Sequence, residues 1–151
     1  WERKDFLELS SNDVTRHFEA NVLATFLPSR FAGLMMLSQS EGGNIITIGD
    51  WAQDRPYLGY SAYFATKGAI PALTRSLAVE LGSRNPKVRV NCILPGPVMQ
   101  ERQEAINATL VRSEGSPKDI SQAVLFLVQS EFVTGIELPV DGGRTIWANG
   151  R

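Results

Sequence analysis

The sequence predicts an α/β fold in which helices alternate with the strands of a parallel sheet. Three apolar runs of strand length, residues 44–48, 87–94 and 136–140, are separated by longer segments with apolar residues at helical spacing. The middle run is apolar almost throughout, which is typical of a parallel strand covered on both faces. Alternation of this kind favours parallel pairing with right-handed crossovers. A chain of 151 residues is the length of one domain.

The first predicted helix covers residues 13–39 and follows a group of cap-type residues, Ser10 to Asn12. Its apolar residues recur at helical spacing: Val14, Phe18, Val22 and Phe26. Pro28 lies inside this segment and removes a backbone hydrogen bond, so we expect a bend there.

Two more helices are predicted further along the chain. The first covers residues 61–81, contains Pro71 and ends at a glycine, Gly82. The next covers residues 119–129 and begins after Ser116-Pro117, where a cap residue precedes a proline at the first helical position. Residues 99–115 have only weak helical character.

The composition argues against several classes of partner. The net charge is −1 and the basic residues are scattered. We therefore expect neither nucleic acid nor an anionic membrane as a partner. We find no run of apolar residues long enough to span a bilayer, and expect no membrane partner. The single cysteine, Cys92, lies in an apolar run, so we interpret it as a buried strand residue. With no internal disulfide framework, a reducing, cytoplasmic location is expected.

Three ionisable side chains are predicted to converge at one edge of the sheet. Asp50 follows directly where the first apolar run stops, and ligands bind at the carboxyl ends of strands in open α/β sheets. Tyr63 and Lys67 are four residues apart, which places them on one face of the second helix. A Tyr-x-x-x-Lys pair is a weak signal by itself, and its surroundings make it specific.

Those surroundings resemble the short-chain dehydrogenase/reductase family. The matching motifs are Asn21 in Asn-Val-x-x-x-Phe, Tyr63-Phe-Ala-Thr-Lys67-Gly-Ala, Arg89-Val-Asn-Cys-Ile-Leu-Pro95-Gly96, and Phe132-Val-Thr-Gly135 leading to Val140-Asp-Gly-Gly143. They cover nearly the whole chain and occur in the family's order.

The resemblance implies a doubly wound, Rossmann-like parallel sheet, of which this chain supplies the last three strands and their helices. Family members begin with a nucleotide-binding half that contains a glycine-rich phosphate loop, and no such cluster occurs here. Residues 1–151 are therefore expected to be the carboxyl-terminal part of a single reductase domain, inactive without the amino-terminal half.

The resemblance also implies the roles of individual residues. Tyr63 is expected to be the general acid, with its pKa lowered by the cation of Lys67, which also holds the nicotinamide ribose. Asn21 is expected to hold a water on the proton path. The segment from Pro95 through Gly96 and Pro97 to Val98 matches the one whose backbone meets the nicotinamide, and Met99 begins the stretch that corresponds to the substrate lid.

One position departs from the family's usual pattern. Most members have a serine thirteen residues before the tyrosine, whereas this chain has Asp50. An ionised carboxylate accepts hydrogen bonds and cannot donate them, so it suits a substrate with N–H donors better than a carbonyl becoming an alkoxide. Aspartate here, and the loop from Arg55 to Tyr60, resemble pteridine reductases. Trp51 and Tyr57 then offer flat faces to a pterin ring, with core packing as the alternative.

The sequence leaves three functions open. The first is reduction of a pteridine-like C=N substrate with NADP as cofactor. NAD is the alternative cofactor, because the residues that choose between NADP and NAD lie ahead of Trp1 in the family. The second is reduction of a generic carbonyl or 3-oxoacyl substrate, and the third is non-catalytic binding of a nucleotide or protein. Gln100 replaces a threonine that contacts the nicotinamide in many members, which leaves that contact in doubt. A homodimer or homotetramer is expected, packed through the helices around Asn21 and Tyr63.

Overall fold

The computed structural model describes residues 2–99 and 103–147. Within these residues three strands form one sheet in the order β1 (Gly43–Ile48), β2 (Val88–Pro95) and β3 (Glu137–Val140). Both neighbouring pairs are parallel. The predicted three-stranded parallel sheet is confirmed, and each strand lies within one residue of its predicted bounds.

Helices precede and separate the strands as predicted. They are α1 (Ser11–Phe18), α2 (Ala24–Leu37), α3 (Ser61–Gly82), α4 (Gln103–Asn107) and α5 (Pro117–Gln129). Two short 3-10 turns, Phe6–Glu8 and Trp51–Asp54, were not predicted. The start of α5 is confirmed: the backbone N–H of Ser116 donates to the carboxylate of Asp119 at 2.7 Å, which closes a capping box.

The first long helix departs from α geometry ahead of the proline at which a bend is expected. A π-helical turn, Glu19–Leu23, separates α1 from α2 and contains Asn21, whereas Pro28 lies inside the continuous α2. Proline removes one backbone hydrogen bond and leaves the rest of a helix able to continue. The irregularity is therefore centred on Asn21, a candidate site residue.

The core has two layers because alternate residues of β2 point to opposite faces of the sheet. On one face Val88 and Val90 pack with β1 and with α3, where Leu77 and Leu81 are buried. On the other face Ile93 packs against α5; the buried members of this second cluster are Ile93, Ala123 and Leu127.

The two polar residues that interrupt β2 on the α5 face have structural partners. Arg89 donates to the carbonyl oxygens of Leu127 and Val128 at 2.9 Å each, which caps the end of α5. Asn91, fully buried, donates to the carbonyl of Val133 at 3.0 Å. These bonds tie the end of α5 and the approach to β3 to the central strand.

The helical stretch Ser11–Leu37 is, by length and composition alone, able to cross a membrane. The sequence expectation that no segment meets this criterion was wrong. Single polar residues such as Asn21, Thr25 and Ser29 interrupt every apolar run, yet the stretch remains apolar on average. A core helix of a globular protein meets the same criterion, so length and composition do not decide between the two.

The position of Leu127 predicts the effect of a substitution in the core. Leu127 is fully buried, while Leu125 on the same helix is 56% exposed. We expect Leu127→Ala to lower the free energy of unfolding by roughly 2–5 kcal/mol, because it removes buried contacts and leaves a cavity. Urea denaturation measures the change. The matched variant Leu125→Ala is expected to lose far less, and equal losses would contradict the assigned packing of α5.

Candidate active site

The site is built at the carboxyl ends of β1 and β2. The chain leaves β1 after Ile48, and Asp50 caps the 3-10 turn that follows. One carboxylate oxygen of Asp50, Oδ1, accepts a hydrogen bond of 2.8 Å from the backbone N–H of Ala52. Asp50 is therefore held in a fixed orientation by the turn that it begins.

The phenol of Tyr63 donates a hydrogen bond to the other oxygen of Asp50. The distance from Tyr63 Oη to Asp50 Oδ2 is 2.7 Å, within the range of a charge-assisted bond. Burial, together with this bond to Asp50, raises the pKa of Tyr63 far above its ordinary value. The expectation that Lys67 lowers the pKa of Tyr63 is wrong for this geometry, because the neighbouring carboxylate stabilises the neutral phenol.

Lys67 lies one turn further along α3, as the spacing predicts. Its ammonium group donates to the backbone carbonyl of Ile48, the last residue of β1, at 3.2 Å. Burial lowers the pKa of Lys67, and the charge of Asp50 opposes that shift. The structure therefore brings Asp50, Tyr63 and Lys67 together at the end of β1.

Asn21 is joined to the same helix through Thr66, a residue that sequence reasoning did not single out. The side-chain amide of Asn21 donates to Thr66 Oγ1 at 2.9 Å, and that hydroxyl donates to the backbone carbonyl of Tyr63 at 2.8 Å. Thr25 donates to the backbone carbonyl of Asn21 at 2.7 Å. Thr66 is buried, and its place between the tyrosine and the lysine of the motif was the available signal.

The segment after β2 lies beside the end of β3. The backbone N–H of Gly96 donates to the carbonyl of Val140 at 2.9 Å, and a Cβ at Gly96 would lie 2.4 Å from the Cα of Asp141. Glycine is therefore required by close packing of two backbones. Pro97 is buried, and Val98 forms a bridge with Gly115.

Met99 is exposed and has a positive φ of 54°. Gln100, where the sequence departs from the family, lies outside the described residues.

The two aromatic residues proposed to contact substrate differ in their surroundings. The guanidinium of Arg144 lies over the ring of Trp51, 4.5 Å from its centroid. Tyr57 is 45% exposed and packs edge-on against Phe64 and Tyr60 at 4.9 and 5.1 Å. One face of Trp51 is thus covered by an arginine, and Tyr57 is partly committed to an aromatic cluster.

An open cavity beside Lys67 is the candidate place for part of a cofactor. It has a volume of about 430 Å³ and lies between α2 and the free edge of β1, with Asn21, Thr47 and Lys67 among its lining residues. A lysine ammonium there suits the hydroxyls of a ribose, so the residues fit a nicotinamide nucleotide. Among residues 2–99 and 103–147, no group of three or more His, Cys, Asp or Glu side chains is placed to hold a metal ion.

Cys92 is buried in β2, as predicted. Burial raises the pKa of its thiol, which keeps the sulfur protonated and unreactive.

Comparison with known proteins places this geometry in a class of oxidoreductases. Residues 1–145 match the family model described as enoyl-(acyl carrier protein) reductase. Carbonyl reductase family member 4 of Xenopus laevis is 32% identical over 143 residues, covering 91% of this chain and 59% of the relative.

Solved structures agree with the sequence match. Acetoin dehydrogenase from Enterobacter cloacae superposes with a TM-score of 0.88 at 31% identity, covering 99% of this chain and 62% of that one. A 4-hydroxyisoleucine dehydrogenase complexed with NADH has a TM-score of 0.86 at 29% identity, covering 97% and 66%. The chain thus spans about three fifths of the length of the relatives it matches. It belongs to the short-chain dehydrogenase/reductase family, whose Rossmann fold it shares.

The hydrogen bond between Tyr63 and Asp50 predicts that removing the charge of Asp50 changes the proton affinity of the Tyr63 phenol. We expect Asp50→Asn to shift the ionisation of Tyr63 to lower pH, because removing the carboxylate charge removes one of the causes that raise its pKa. Ultraviolet absorbance of tyrosinate measures this, with a Tyr63→Phe preparation subtracted to isolate the one ring.

Asp54→Asn is the matched control, since Asp54 is an exposed carboxylate on the same 3-10 turn. An identical shift in both variants, or none in Asp50→Asn, would contradict the assigned contact.

Proposed function

We propose that this protein reduces a small-molecule substrate with a hydride from NADPH, and that the favoured substrate contains a pteridine-like C=N bond. The observation that carries the proposal is the 2.7 Å hydrogen bond from the Tyr63 phenol to the Asp50 carboxylate. The bound nicotinamide would supply the hydride, and Lys67 and the backbone of residues 95–98 would hold that end of the cofactor.

The substrate must take the place of Tyr63 as a donor to Asp50. While the phenol donates to the carboxylate, its proton is directed away from any substrate atom. A ring with N–H groups donates to Asp50 Oδ2 in its place, which keeps the carboxylate satisfied and frees the Tyr63 proton for the substrate nitrogen. Tyr63 then acts as general acid, and the developing phenolate is stabilised by the cation of Lys67.

A ketone brings no such donor, which is why it is the second candidate. A hydrogen bond to a charged group is worth roughly 1.5–3 kcal/mol, so losing it without replacement slows the reaction by about 10- to 100-fold. The generic carbonyl or 3-oxoacyl reductase is favoured by the carbonyl reductase relative. In that case Asp50 has to be protonated or separated from the carbonyl by a water.

A non-catalytic role in binding a nucleotide or a protein is the third candidate. The hydrogen bonds that join Asn21, Thr66 and Tyr63 count against it, because binding alone does not require a positioned proton donor. NADP is proposed over NAD from the resemblance to pteridine reductases, and the rates with NADPH and NADH decide between them.

Turnover tests the proposed function directly. The assay uses a preparation that includes any residues encoded ahead of Trp1, and follows NADPH oxidation with dihydropterins and with a panel of ketones. We expect dihydropterins to be reduced, and Tyr63→Phe to lower kcat by roughly 10²- to 10⁴-fold, because the general acid is removed. Tyr60→Phe is the matched control.

Three results would count against the pteridine proposal. Turnover of ketones alone would contradict it, and a faster ketone reaction in Asp50→Ser would support the carbonyl alternative. Unchanged turnover in Tyr63→Phe would exclude Tyr63 as the proton donor.

We also propose that the protein is cytoplasmic and forms a homodimer or homotetramer through the helices around Asn21 and Tyr63, which are α1 with α2, and α3. Support for assembly comes from apolar side chains that are exposed at helical spacing on α2, namely Leu27, Phe31, Leu34 and Met35. Phe31 is 61% exposed, an unusual environment for phenylalanine. A second copy of the same helix would cover this stripe.

A charge in the stripe tests the assembly. We expect Phe31→Glu to convert the oligomer to a monomer, because a carboxylate would be buried in an apolar interface. Light scattering coupled to size-exclusion chromatography measures the mass. Leu7→Glu serves as control because Leu7 is 92% exposed in the first 3-10 turn, away from α2. An unchanged mass for Phe31→Glu would contradict the interface.

A further inference from the structure

The turn that follows β3 is held by the side chain of Asp141. This carboxylate is buried, and both of its oxygens accept hydrogen bonds. Oδ1 accepts from the backbone N–H of Gly143 at 2.9 Å, and Oδ2 accepts from both the backbone N–H and the hydroxyl of Thr145, at 2.6 Å each. Gly142 and Gly143 have φ angles of 63° and 79°, in the region that favours glycine. The Asp141 carboxylate thus holds the shape of a turn that requires two glycines.

This turn packs directly on the backbone of residues 95–98. The backbone N–H of Gly96 donates to the carbonyl of Val140 at 2.9 Å. A Cβ at Gly96 would lie 2.4 Å from the Cα of Asp141, so the two backbones touch without a side chain between them. A change in the shape of the turn is therefore passed on to residues 95–98.

The same turn is bonded to the stretch between α4 and α5. The carbonyl of Gly142 accepts from the backbone N–H groups of Leu110 and Val111, at 2.8 and 3.3 Å. The left-handed conformation of Gly142 sets the direction of that carbonyl. One turn, ordered by one carboxylate, therefore joins residues 95–98 to residues 110–111.

The segment that the turn supports begins beside the reacting groups. Ile93 is paired with Ile48, and its carbonyl accepts a hydrogen bond of 2.9 Å from the N–H of Gly49. β2 continues for two residues beyond Ile93, and Asp50 directly follows Gly49. Residues 95–98 therefore leave the sheet next to the point where the chain turns to Asp50.

We propose that Asp141 is a positioning residue for the nicotinamide end of the cofactor. By ordering the turn after β3, it holds the backbone of residues 95–98 in the place that binds the nicotinamide. Asp141 acts through this backbone, because its two oxygens already accept bonds within the turn. The inference rests on the part of the proposed function that assigns nicotinamide binding to residues 95–98.

The affinities of two nucleotides separate positioning from a general loss of structure. NADPH is compared with phospho-ADP-ribose, which is the same molecule without its nicotinamide ring, by calorimetry in the preparation used for the turnover assay. We expect Asp141→Asn to weaken NADPH binding roughly tenfold, because the amide keeps one acceptor oxygen and loses the charge and the other. Binding of phospho-ADP-ribose is expected to stay unchanged. Equal weakening of both nucleotides, or of neither, would contradict the positioning role.

Asp13→Asn is the matched control variant. Asp13 is a buried carboxylate like Asp141, and it accepts from the backbone N–H and the hydroxyl of Ser10 at 2.9 and 2.6 Å, at the start of α1. We expect a lower melting temperature in both variants and weaker NADPH binding only in Asp141→Asn. A tenfold loss of NADPH affinity in Asp13→Asn as well would assign the effect to stability alone.

A milder variant keeps the inference testable if Asp141→Asn does not fold. Thr145→Val preserves the shape of the side chain and the charge of Asp141, and removes only the hydroxyl donor to Oδ2. We expect a smaller loss of NADPH affinity than in Asp141→Asn, because the backbone N–H of Thr145 still donates. An unchanged NADPH affinity in Thr145→Val, with Asp141→Asn unfolded, would overturn the inference.

Hydrogen exchange tests the coupling in the chain without any cofactor. The reporting amides are those of Gly96 and Leu110, whose acceptors lie in or next to the turn. We expect both to exchange faster in Asp141→Asn. The amide of Gly135, which donates to the carbonyl of Val90 at 2.7 Å, is the internal control and is expected to keep its rate. Unchanged exchange at Gly96 and Leu110 would contradict the coupling.

The outcomes for this inference and for the proposed function are separable. Turnover of dihydropterins with equal NADPH affinities in all variants would reject the positioning role and keep the function. A selective loss of NADPH affinity in Asp141→Asn, with ketones as the only substrates reduced, would keep the positioning role and reject the pteridine substrate. A native protein that does not bind NADPH would reject both.

Discussion

The structure depends first on the burial of β2 on both of its faces. Its residues Val90 and Cys92 are fully buried towards α3, and Ile93 is fully buried towards α5. A strand covered on both faces fixes the register of both neighbours, because a slip by one residue would expose one face and bury the polar groups of the other. That register places the ends of β1, β2 and β3 side by side, and every candidate site residue except Asn21 lies at or near those ends or on α3.

Within the site, the hydrogen bond between Tyr63 and Asp50 decides what chemistry is available. A serine at position 50 would donate towards a substrate oxygen, whereas a carboxylate takes the proton donor of Tyr63 for itself. Burial and this carboxylate both favour the neutral phenol, and Lys67 has its ammonium directed at the carbonyl of Ile48. The phenol of Tyr63 is therefore held neutral, with its proton directed at Asp50.

The parts of the structure that follow from local patterns were predictable from sequence. The strands were read from apolar runs, and the start of α5 from Ser116 and Pro117. The π-helical turn around Asn21 was not, and no local pattern signals the hydrogen bond from Asn21 to Thr66 on α3, a contact between residues 45 positions apart. The stacking of Arg144 on Trp51 is likewise a long-range contact that no local spacing signals.

The same limit explains why the acidity of Tyr63 was misjudged. Spacing along a helix shows that Tyr63 and Lys67 share a face, and it carries no information about which neighbour lies nearer the phenol oxygen. The 3-10 turn after β1 decides that, because its first hydrogen bond, from Ala52 to Asp50, aims the second carboxylate oxygen at Tyr63. A residue at position 50 that could not cap this turn would lose both its own orientation and its hold on the tyrosine. The identity of residue 50 therefore bears on both the local turn and the proton affinity of the site.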